Sequence, residues 1–438
     1  MNRDELIANV QTIVVLIMEN RSFDHVLGQL RHPKFGNRTD VEGIADLDNP
    51  DYVNADNDGV GVSPFWRPDA PFPSDVPHNR GSVAQQMAFS SLTRSFQMTG
   101  FVRAFEDSFH TSIDKSPPMG LMMPQDLPAT SALAAQYTVC DNWFACVPTS
   151  TAPNRLMSMC GSTNIAETST LLPDQTTVYD WLLAHGVRWR VYSAGLPFFL
   201  LMPRLAPLML TSHFRRFDEL KNDLAADLPD QRPQVIFIEP DYFCCPVHLR
   251  PPCDNHAPLG MQPGEQFLRE VYGVLASDGG WGHTVFIATY DEHGGFFDHV
   301  APPVVPYRNP NGISFDSAGP RVPAIVAGPF APQGVAKNQL DNTSILQLLA
   351  ERFGKSGESY SAEVHGRSLH GVQSVSAVLS ATAANTAVAP IAPVSVIASA
   401  PGILGPLRPL FVAAIQNLLR QHGGEALAKY PELSALEK

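Results

Sequence analysis

Five short runs of apolar, β-branched and aromatic residues decide what this chain can fold into. They are TIVVLIM (Thr12–Met18), RWRVYSA (Arg188–Ala194), QVIFIEP (Gln234–Pro240), HTVFIATY (His283–Tyr290) and VPAIVAG (Val322–Gly328). They are nearly continuous in apolar character rather than alternating, the pattern of strands covered on both faces of a parallel or mixed sheet. Helical patterns lie between them. TVYDWLLAHG (Thr177–Gly186) ends on glycine, PGEQFLREVYGVLASDGGW (Pro263–Trp281) opens on proline and ends past Gly279-Gly280, and TSILQLLAERFG (Thr343–Gly354) follows the last strand. Alternating strand and helix predict an α/β fold with a mixed, mostly parallel central sheet and helices on both faces.

The 438 residues are 44% hydrophobic and 17% charged, which suits one large α/β domain or two ordinary ones and excludes global disorder. A net charge of −13 speaks against nucleic-acid binding, which needs a basic face. It leaves an anionic substrate open, because a metal ion or local histidines override the global sign. The start carries Asp4 and Glu5 and an apolar run of only Ile13–Met18, unlike a secretory leader, and no window approaches a membrane span. The expectation is a cytoplasmic protein, or a secreted or periplasmic one whose leader has been removed. Cys140, Cys146, Cys160, Cys244, Cys245 and Cys253 are then expected to be free thiols.

Residues 1–372 are expected to form the catalytic domain, with an ordered excursion over Arg31–Pro77. The proline-broken apolar stretch Ala194–Leu210 reads as a buried irregular connection or as a lid or lipid-facing lip. Residues 373–402, rich in Ala, Val, Ser and Pro, read as a linker or wrapping arm. Residues 403–438 read as a helical tail whose apolar face lies in LRPLFVAAIQNLLRQHG.

The chemistry gathers at strand ends. TYDEHGGFFDHVAPP (Thr289–Pro303) places Asp291 and Glu292 just past one predicted strand, and Glu19 and Asn20 stand just past the first. Ligand sites in open α/β sheets lie outside such carboxyl ends. Four hard oxygen donors at one edge suit Ca²⁺, Mg²⁺ or Mn²⁺. Taken singly, each acid reads better as a helix cap or a surface ion-pair partner; together, at one edge, they read as a metal site. CVPTSTAPNRLMSMCG (Cys146–Gly161) reads as a loop entering a helix near Pro153. Thr151 then lies at or just before the N-cap, where the positive helix end favours an alkoxide. A plain capping role is the alternative, and Ser150 and Thr149 compete for the position.

VVLIMENRSFDHVLG, TSTAPNRL and YDEHGGFFDHVAPP resemble the hallmark segments of the phosphoesterase family, which holds bacterial phospholipases C, acid phosphatases and plant non-specific phospholipases C. PHNRGSVAQQM, NHAPLGMQPGEQFLREVY and GPRVPAIVAGPF extend the resemblance over roughly Thr12 to Arg367. It implies an alkaline-phosphatase-like sandwich and one divalent metal ion, with zinc also admissible. Glu19, Asn20, Asp291 and Glu292 match the metal ligands. Thr151 matches the nucleophile, which also touches the metal. His78 and His256 match histidines that hold phosphoryl oxygens or donate a proton. His293, Asp298, His299 and Asn154 are expected as supports behind them, although His299 also reads as a structural histidine beside Asp298.

The implied activity is a phospholipase C that cuts the glycerol–phosphate bond through a phosphothreonine, with Ala194–Leu210 at the lipid entrance. The alternatives are a broad acid phosphatase and a non-catalytic, metal-dependent lipid- or phosphate-binding protein. A phospholipid or small phosphoester is the expected partner, with peripheral membrane contact and no nucleic acid. The chain departs from the pattern at Asn342, where relatives often carry histidine, and at Ala257, where they often carry proline. Cys245, His248, Cys253 and His256 also admit a zinc reading, C-x2-H-x4-C-x2-H, with a disulfide or free thiols preferred.

Overall fold

The computed structural model describes residues 1–109, 114–169, 171–228, 230–242, 251–383, 385–394 and 408–436. Cys244, Cys245, His248 and residues 395–407 of the expected arm and tail lie outside the described residues.

All five apolar runs form strands of one sheet. In chain order its strands are β1 (Thr12–Met18), β2 (Thr138–Cys140), β3 (Trp189–Ser193), β4 (Phe214–Arg216), β5 (Val235–Glu239), β6 (Thr284–Tyr290), β7 (Ala324–Ala327) and β8 (Gly334–Ala336). The spatial order is β4-β3-β5-β1-β6-β7-β2-β8. Only β7 runs against the rest, pairing antiparallel with β6 and β2. Every residue of β1 is buried, so both faces of the sheet centre are covered, as its unbroken apolar run requires. The helices that matter below are α1 (Arg80–Met87), α2 (Phe101–Ser108), α3 (Thr151–Cys160), α4 (Val178–Ala184), α5 (Gln262–Ala276), α6 (Thr343–Phe353) and α7 (Arg408–Lys429).

One register positions the chemistry. β1 and β6 are parallel neighbours with Met18 opposite Tyr290. The residues that follow, Glu19 and Asp291, therefore emerge side by side at the carboxyl edge. The Asp291 amide still donates to the Met18 carbonyl at 3.1 Å, carrying the ladder into the turn.

Ala194–Leu210 is a buried irregular connection, not a lid or lip. Phe198, Phe199, Leu201, Met202 and Met209 are all buried. Helix α7 and the residue after it roof them: Phe411 meets the Phe198 ring at 6.4 Å, and the Tyr430 hydroxyl donates to the Met209 carbonyl at 3.3 Å. Burying several aromatic and aliphatic side chains under one amphipathic helix stabilises each by about 1.5–3 kcal/mol relative to exposure. The residues after Gln373 run along the domain. The terminal amine of Met1 donates to the Ser376 carbonyl at 2.6 Å, and the Ala389 amide donates to the Tyr272 hydroxyl at 2.7 Å. No helix among the described residues is long and apolar enough to cross a membrane. Cys140, Cys146, Cys160 and Cys253 are free thiols.

Candidate active site

The two strand tips form the floor of the site. Glu19, Asn20, Asp291 and Glu292 have no solvent exposure. Asn20 leaves β1 with φ of 60°, and its amide donates to Asp291 Oδ1 at 3.0 Å. The glycine pair after Glu292 answers to close approach. Gly294 has φ of 64° and stands where a Cβ would lie 2.0 Å from the Asn20 carbonyl oxygen; at Gly295 it would lie 2.4 Å from that of Pro77.

Helix α3 brings the third segment. It begins at Thr151, two residues earlier than a start at Pro153, which is its third residue; Ser150 is the N-cap. Thr151 Oγ1 lies 3.2 Å from Glu19 Oε2 and 3.2 Å from Asn20 Oδ1. The competing hydroxyls are engaged elsewhere: Ser150 accepts from the Thr168 amide at 3.0 Å, and Thr149 donates to the Ala166 carbonyl at 2.7 Å. Asn154 staples the approach, accepting from the Val147 amide at 3.0 Å and donating to the Thr149 carbonyl at 2.9 Å. One turn beyond Thr151, on the same helix face, Arg155 donates to Glu19 Oε1 through Nε at 2.9 Å and Nη2 at 2.5 Å. Its guanidinium lies over the Phe198 ring, 5.3 Å from the centroid, so the buried Ala194–Leu210 stretch backs the site.

The floor holds more negative charge than its neighbours balance. Burial and the Asp291 charge push the Glu19 carboxyl up to about 8 despite Arg155. Burial, with the Glu292 charge, pushes Asp291 up to about 7. Burial also opposes the Glu292 charge, but His78 and His293 hold that group below the usual carboxylate range. Asp291 Oδ2 and Glu292 Oε1 are buried without a hydrogen-bond partner. An unpaired buried carboxylate oxygen is expensive, and a divalent cation with oxygen ligands is the group that satisfies two at once. The donor set fits such an ion.

Two histidines line the cleft above. The Asn20 amide nitrogen sits between them, 3.1 Å from His78 Nε2 and 3.0 Å from His256 Nε2. His78 Nδ1 donates to the Val76 carbonyl at 2.6 Å, which fixes its tautomer. His256 Nε2 lies 3.2 Å from Asp75 Oδ2, and its backbone amide donates to Asp254 Oδ1 at 3.1 Å. Burial disfavours its charge, yet Asp75, Asp254 and Glu19 raise it to about 9, so the ring is protonated at neutral pH. His78, Asn79, Ser150, Thr151, His256 and Phe109 are among the residues lining this cleft of about 420 Å³.

The expected supports divide. His293 serves the site: its Nδ1 lies 3.3 Å from Glu292 Oε2 and its Nε2 lies 2.8 Å from Gln86 Oε1 on α1. Asp298 and His299 do not. Asp298 accepts from Arg321 Nε at 2.9 Å, and His299 Nδ1 meets Asp24 Oδ2 at 2.6 Å, in a separate buried cluster. The turn at Gly294-Gly295 carries the chain away from the floor before they are reached. Asn342 props the end of β6, donating to the Tyr290 carbonyl at 3.0 Å while accepting from Trp143 Nε1 at 2.9 Å. Of the zinc reading, Cys245 and His248 lie outside the described residues; His256 Nε2 faces Asn20 and Asp75, and Cys253 Sγ accepts from the Asp241 amide at 3.2 Å. Sequence reasoning missed Arg155, Asp75, Asp254 and Gln86. Only Arg155 left a signal, four residues after Thr151 on the same predicted helix.

The comparisons with known proteins bear on this constellation. The phosphoesterase family matches residues 10–355. The chain is 34% identical over 343 residues to non-specific phospholipase C1 of Arabidopsis thaliana, covering 74% of this chain and 62% of that protein. It is 26% identical over 418 residues to the non-hemolytic phospholipase C of Burkholderia pseudomallei, covering 80% of this chain and 56% of that one. The chain thus spans about three fifths of the length of the curated relatives it matches. Among solved structures, a protein in the alkaline phosphatase superfamily from Vibrio parahaemolyticus overlaps it with a TM-score of 0.31 at 12% identity, over 56% of this chain and 60% of that one. The matched span runs from just before β1 to just past α6 and encloses every residue of the floor, the threonine and both histidines, and the chain belongs to the phosphoesterase family.

Proposed function

We propose that the chain hydrolyses phosphoesters by two-step transfer through Thr151, as a metal-dependent phospholipase C that releases diacylglycerol. The observation that carries this is the convergence of Thr151 Oγ1, 3.2 Å from both Glu19 and Asn20, on a floor where two buried carboxylate oxygens lack a hydrogen bond. A divalent cation held by Glu19, Asn20, Asp291 and Glu292 supplies Lewis acidity and charge neutralisation at the phosphoryl group.

The chain's own residues do the rest. Helix α3 presents its first hydroxyl toward the floor, and its positive end favours the alkoxide and a phosphoryl anion. Thr151 Oγ1 bonds to phosphorus as the bond from phosphorus to the glycerol oxygen breaks. Its proton departs on the side of Glu19 Oε2. His256, protonated beside Asp75, returns a proton to the leaving alkoxide, a step that contributes on the order of 10²–10⁴-fold. Water then bonds to phosphorus as the bond to Thr151 Oγ1 breaks; the neutral His256 takes the water's proton, and the proton held on the Glu19 side returns to Thr151. His78, its Nδ1 held by the Val76 carbonyl, accepts from the Asn20 amide nitrogen and fixes that side chain at the floor. Arg155 keeps the Glu19 carboxylate in place from behind.

A second reading has a specific observation in its favour. Ala194–Leu210 is buried under α7, which removes the expected lipid entrance and suits a phosphomonoesterase acting on small soluble esters. Thr151→Ala separates catalysis from binding, and the choice of substrate separates the two readings. We expect the variant to lose at least about 10³-fold in turnover, as removal of a nucleophile does, with the wild type preferring phosphatidylcholine over a soluble monoester. Unchanged turnover of the variant refutes the nucleophile; a preference for the monoester selects the phosphatase.

A further inference from the structure

With Ala194–Leu210 buried, the most exposed large apolar side chain among the described residues lies elsewhere. Helices α1 and α2 are joined by a β-hairpin, Phe89–Ser90 paired with Ser95–Phe96. Asn79 caps α1 and Phe109 follows α2, and both residues line the cleft. The hairpin therefore connects two helices whose other ends border the active site. Gln86, on the last turn of α1, donates to the Pro77 carbonyl at 2.6 Å and meets His293, so the hairpin root is tied to the site floor.

Three independent features mark the hairpin. The first is exposure. Leu92 at its tip is 92% exposed, the highest of any large apolar side chain among the described residues, and Phe89 is 57% exposed. The root is firmly seated, with Met87, Met98 and Phe101 in a small core that Phe96 packs against. The apolar tip is thus displayed by a fixed base.

The second is backbone conformation. Among the described residues, the non-glycine residues with positive φ are three asparagines and Ala88, Arg94 and Met98, at 47°, 55° and 54°. Asparagine tolerates that region; alanine, arginine and methionine do so at a cost. All three bracket or turn this one hairpin. The Gln97 amide braces the turn through Thr93 Oγ1 at 3.0 Å and the Ser95 carbonyl at 3.2 Å.

The third is charge. In a chain with a net charge of −13, the hairpin from Phe89 to Phe96 contains no aspartate or glutamate and carries Arg94. Arg94 is exposed, two residues from Leu92. An aromatic, an aliphatic and a guanidinium at one tip match an interface with acyl chains below and phosphates above.

We infer that this hairpin docks the protein on a phospholipid surface, with Phe89 and Leu92 entering the acyl boundary and Arg94 at phosphate level. The inference rests on the phospholipase reading for its purpose. It delivers the substrate to a cleft whose rim is the other end of α1 and α2.

The test measures binding of full-length protein to sedimented vesicles of equimolar phosphatidylcholine and phosphatidylglycerol, beside turnover of a water-soluble phosphodiester. Leu92→Asp is expected to weaken vesicle binding by about tenfold or more, since burying a leucine is worth at least roughly one decade in affinity. Arg94→Glu is expected to weaken it by about fivefold or more. Leu92→Trp is expected to strengthen binding, with a blue shift of its added fluorescence; a misfolded variant cannot mimic that gain. Soluble turnover stays unchanged in all three. Vesicle binding unaffected by Leu92→Asp overturns the proposal, as does a wild type that ignores vesicles. So does lipid-free self-association that Leu92→Asp abolishes, which makes the hairpin an interface between two copies. Hairpin-dependent binding by a wild type with no phosphodiester or phospholipid turnover supports the docking surface and refutes the enzymatic reading.

Discussion

Two buried acidic clusters stand on the same two chain segments, and they are built in opposite ways. One is the site floor: Glu19 after β1, Asp291 and Glu292 after β6, with Arg155 from α3. The other lies a few residues farther along each segment: Asp24, Asp298 and His299, joined by Arg321 and Glu42. In the second cluster every charge is answered. Arg321 reaches Asp298 at 2.9 Å and Asp24 at 3.0 Å, and its remaining donors go to the Glu42 and Asp141 carbonyls at 2.7 and 2.9 Å. In the floor, one guanidinium faces three carboxylates, and two oxygens have no hydrogen bond, only ion-pair contacts of 3.8 Å to His78 and 3.9 Å to Arg155. Asp24, Asp298 and His299 have the spacing of a metal triad, as do Asp75, His78 and His256. The Asp24 triad already contains its cation, which is Arg321. The lesson is that proximity of acids does not define an ion site; unanswered charge does.

The sharpest break of that comparison is Arg321→Met. Removing the only guanidinium strands the buried Asp298 carboxylate and leaves Asp24 to His299 alone, and the expected loss is about 3–5 kcal/mol in denaturant unfolding. A loss under about 1 kcal/mol would mean the second cluster does not depend on its arginine.

A somewhat smaller effect appears in pH. Burial disfavours the His299 charge, but Asp24 and Glu42 raise its pKa to about 9 in the fold, against about 6.5 unfolded. The stability this pair contributes is complete below pH 6.5 and disappears as pH rises through 9. The stability gap between wild type and His299→Gln should therefore shrink by roughly 3 kcal/mol from about pH 6 to pH 10. A gap independent of pH contradicts a charged His299. Of the groups facing it, Asp24, Glu42 and Arg321 keep their charge states over this window, while Asp298, pushed up to about 6 by burial, ionises at its lower edge.

The smallest effect has the opposite sign. Asp291→Asn removes one of several mutually repelling buried charges, so metal-free protein should gain about 1 kcal/mol. With divalent cation added, the wild type should rise above the variant, because binding to the folded state alone stabilises it by mass action. If the variant is less stable both with and without cation, the floor is an ordinary ion-pair cluster like its neighbour.

The same contrast explains what could be read from the chain. The five long strands were legible because a strand covered on both faces leaves a run too apolar to be anything else. β2, β4 and β8 were missed, since three residues are too few to display a period. Glu19, Asn20, Asp291 and Glu292 were legible because they directly follow such runs. Thr151 was recoverable to within a residue or two, with Pro153 pulling the expected helix start too late. Asp298 and His299 were grouped with the floor because they share its motif, although the intervening turn carries them to Arg321. Asp75 left no trace in a proline-rich loop; only the fold sets it beside His256.

By itself, the sequence determined the α/β layering and which side chains stand at the carboxyl ends of β1 and β6, because strand formation and strand termination are local properties of the chain. Only the tertiary structure decided which acids receive a guanidinium, that Ala194–Leu210 lies under a terminal helix, and that the apolar tip left outside is the Phe89–Phe96 hairpin. Those outcomes depend on which surfaces cover one another and which charges meet across more than a hundred residues, and burial makes such pairings strong without leaving any period or motif behind.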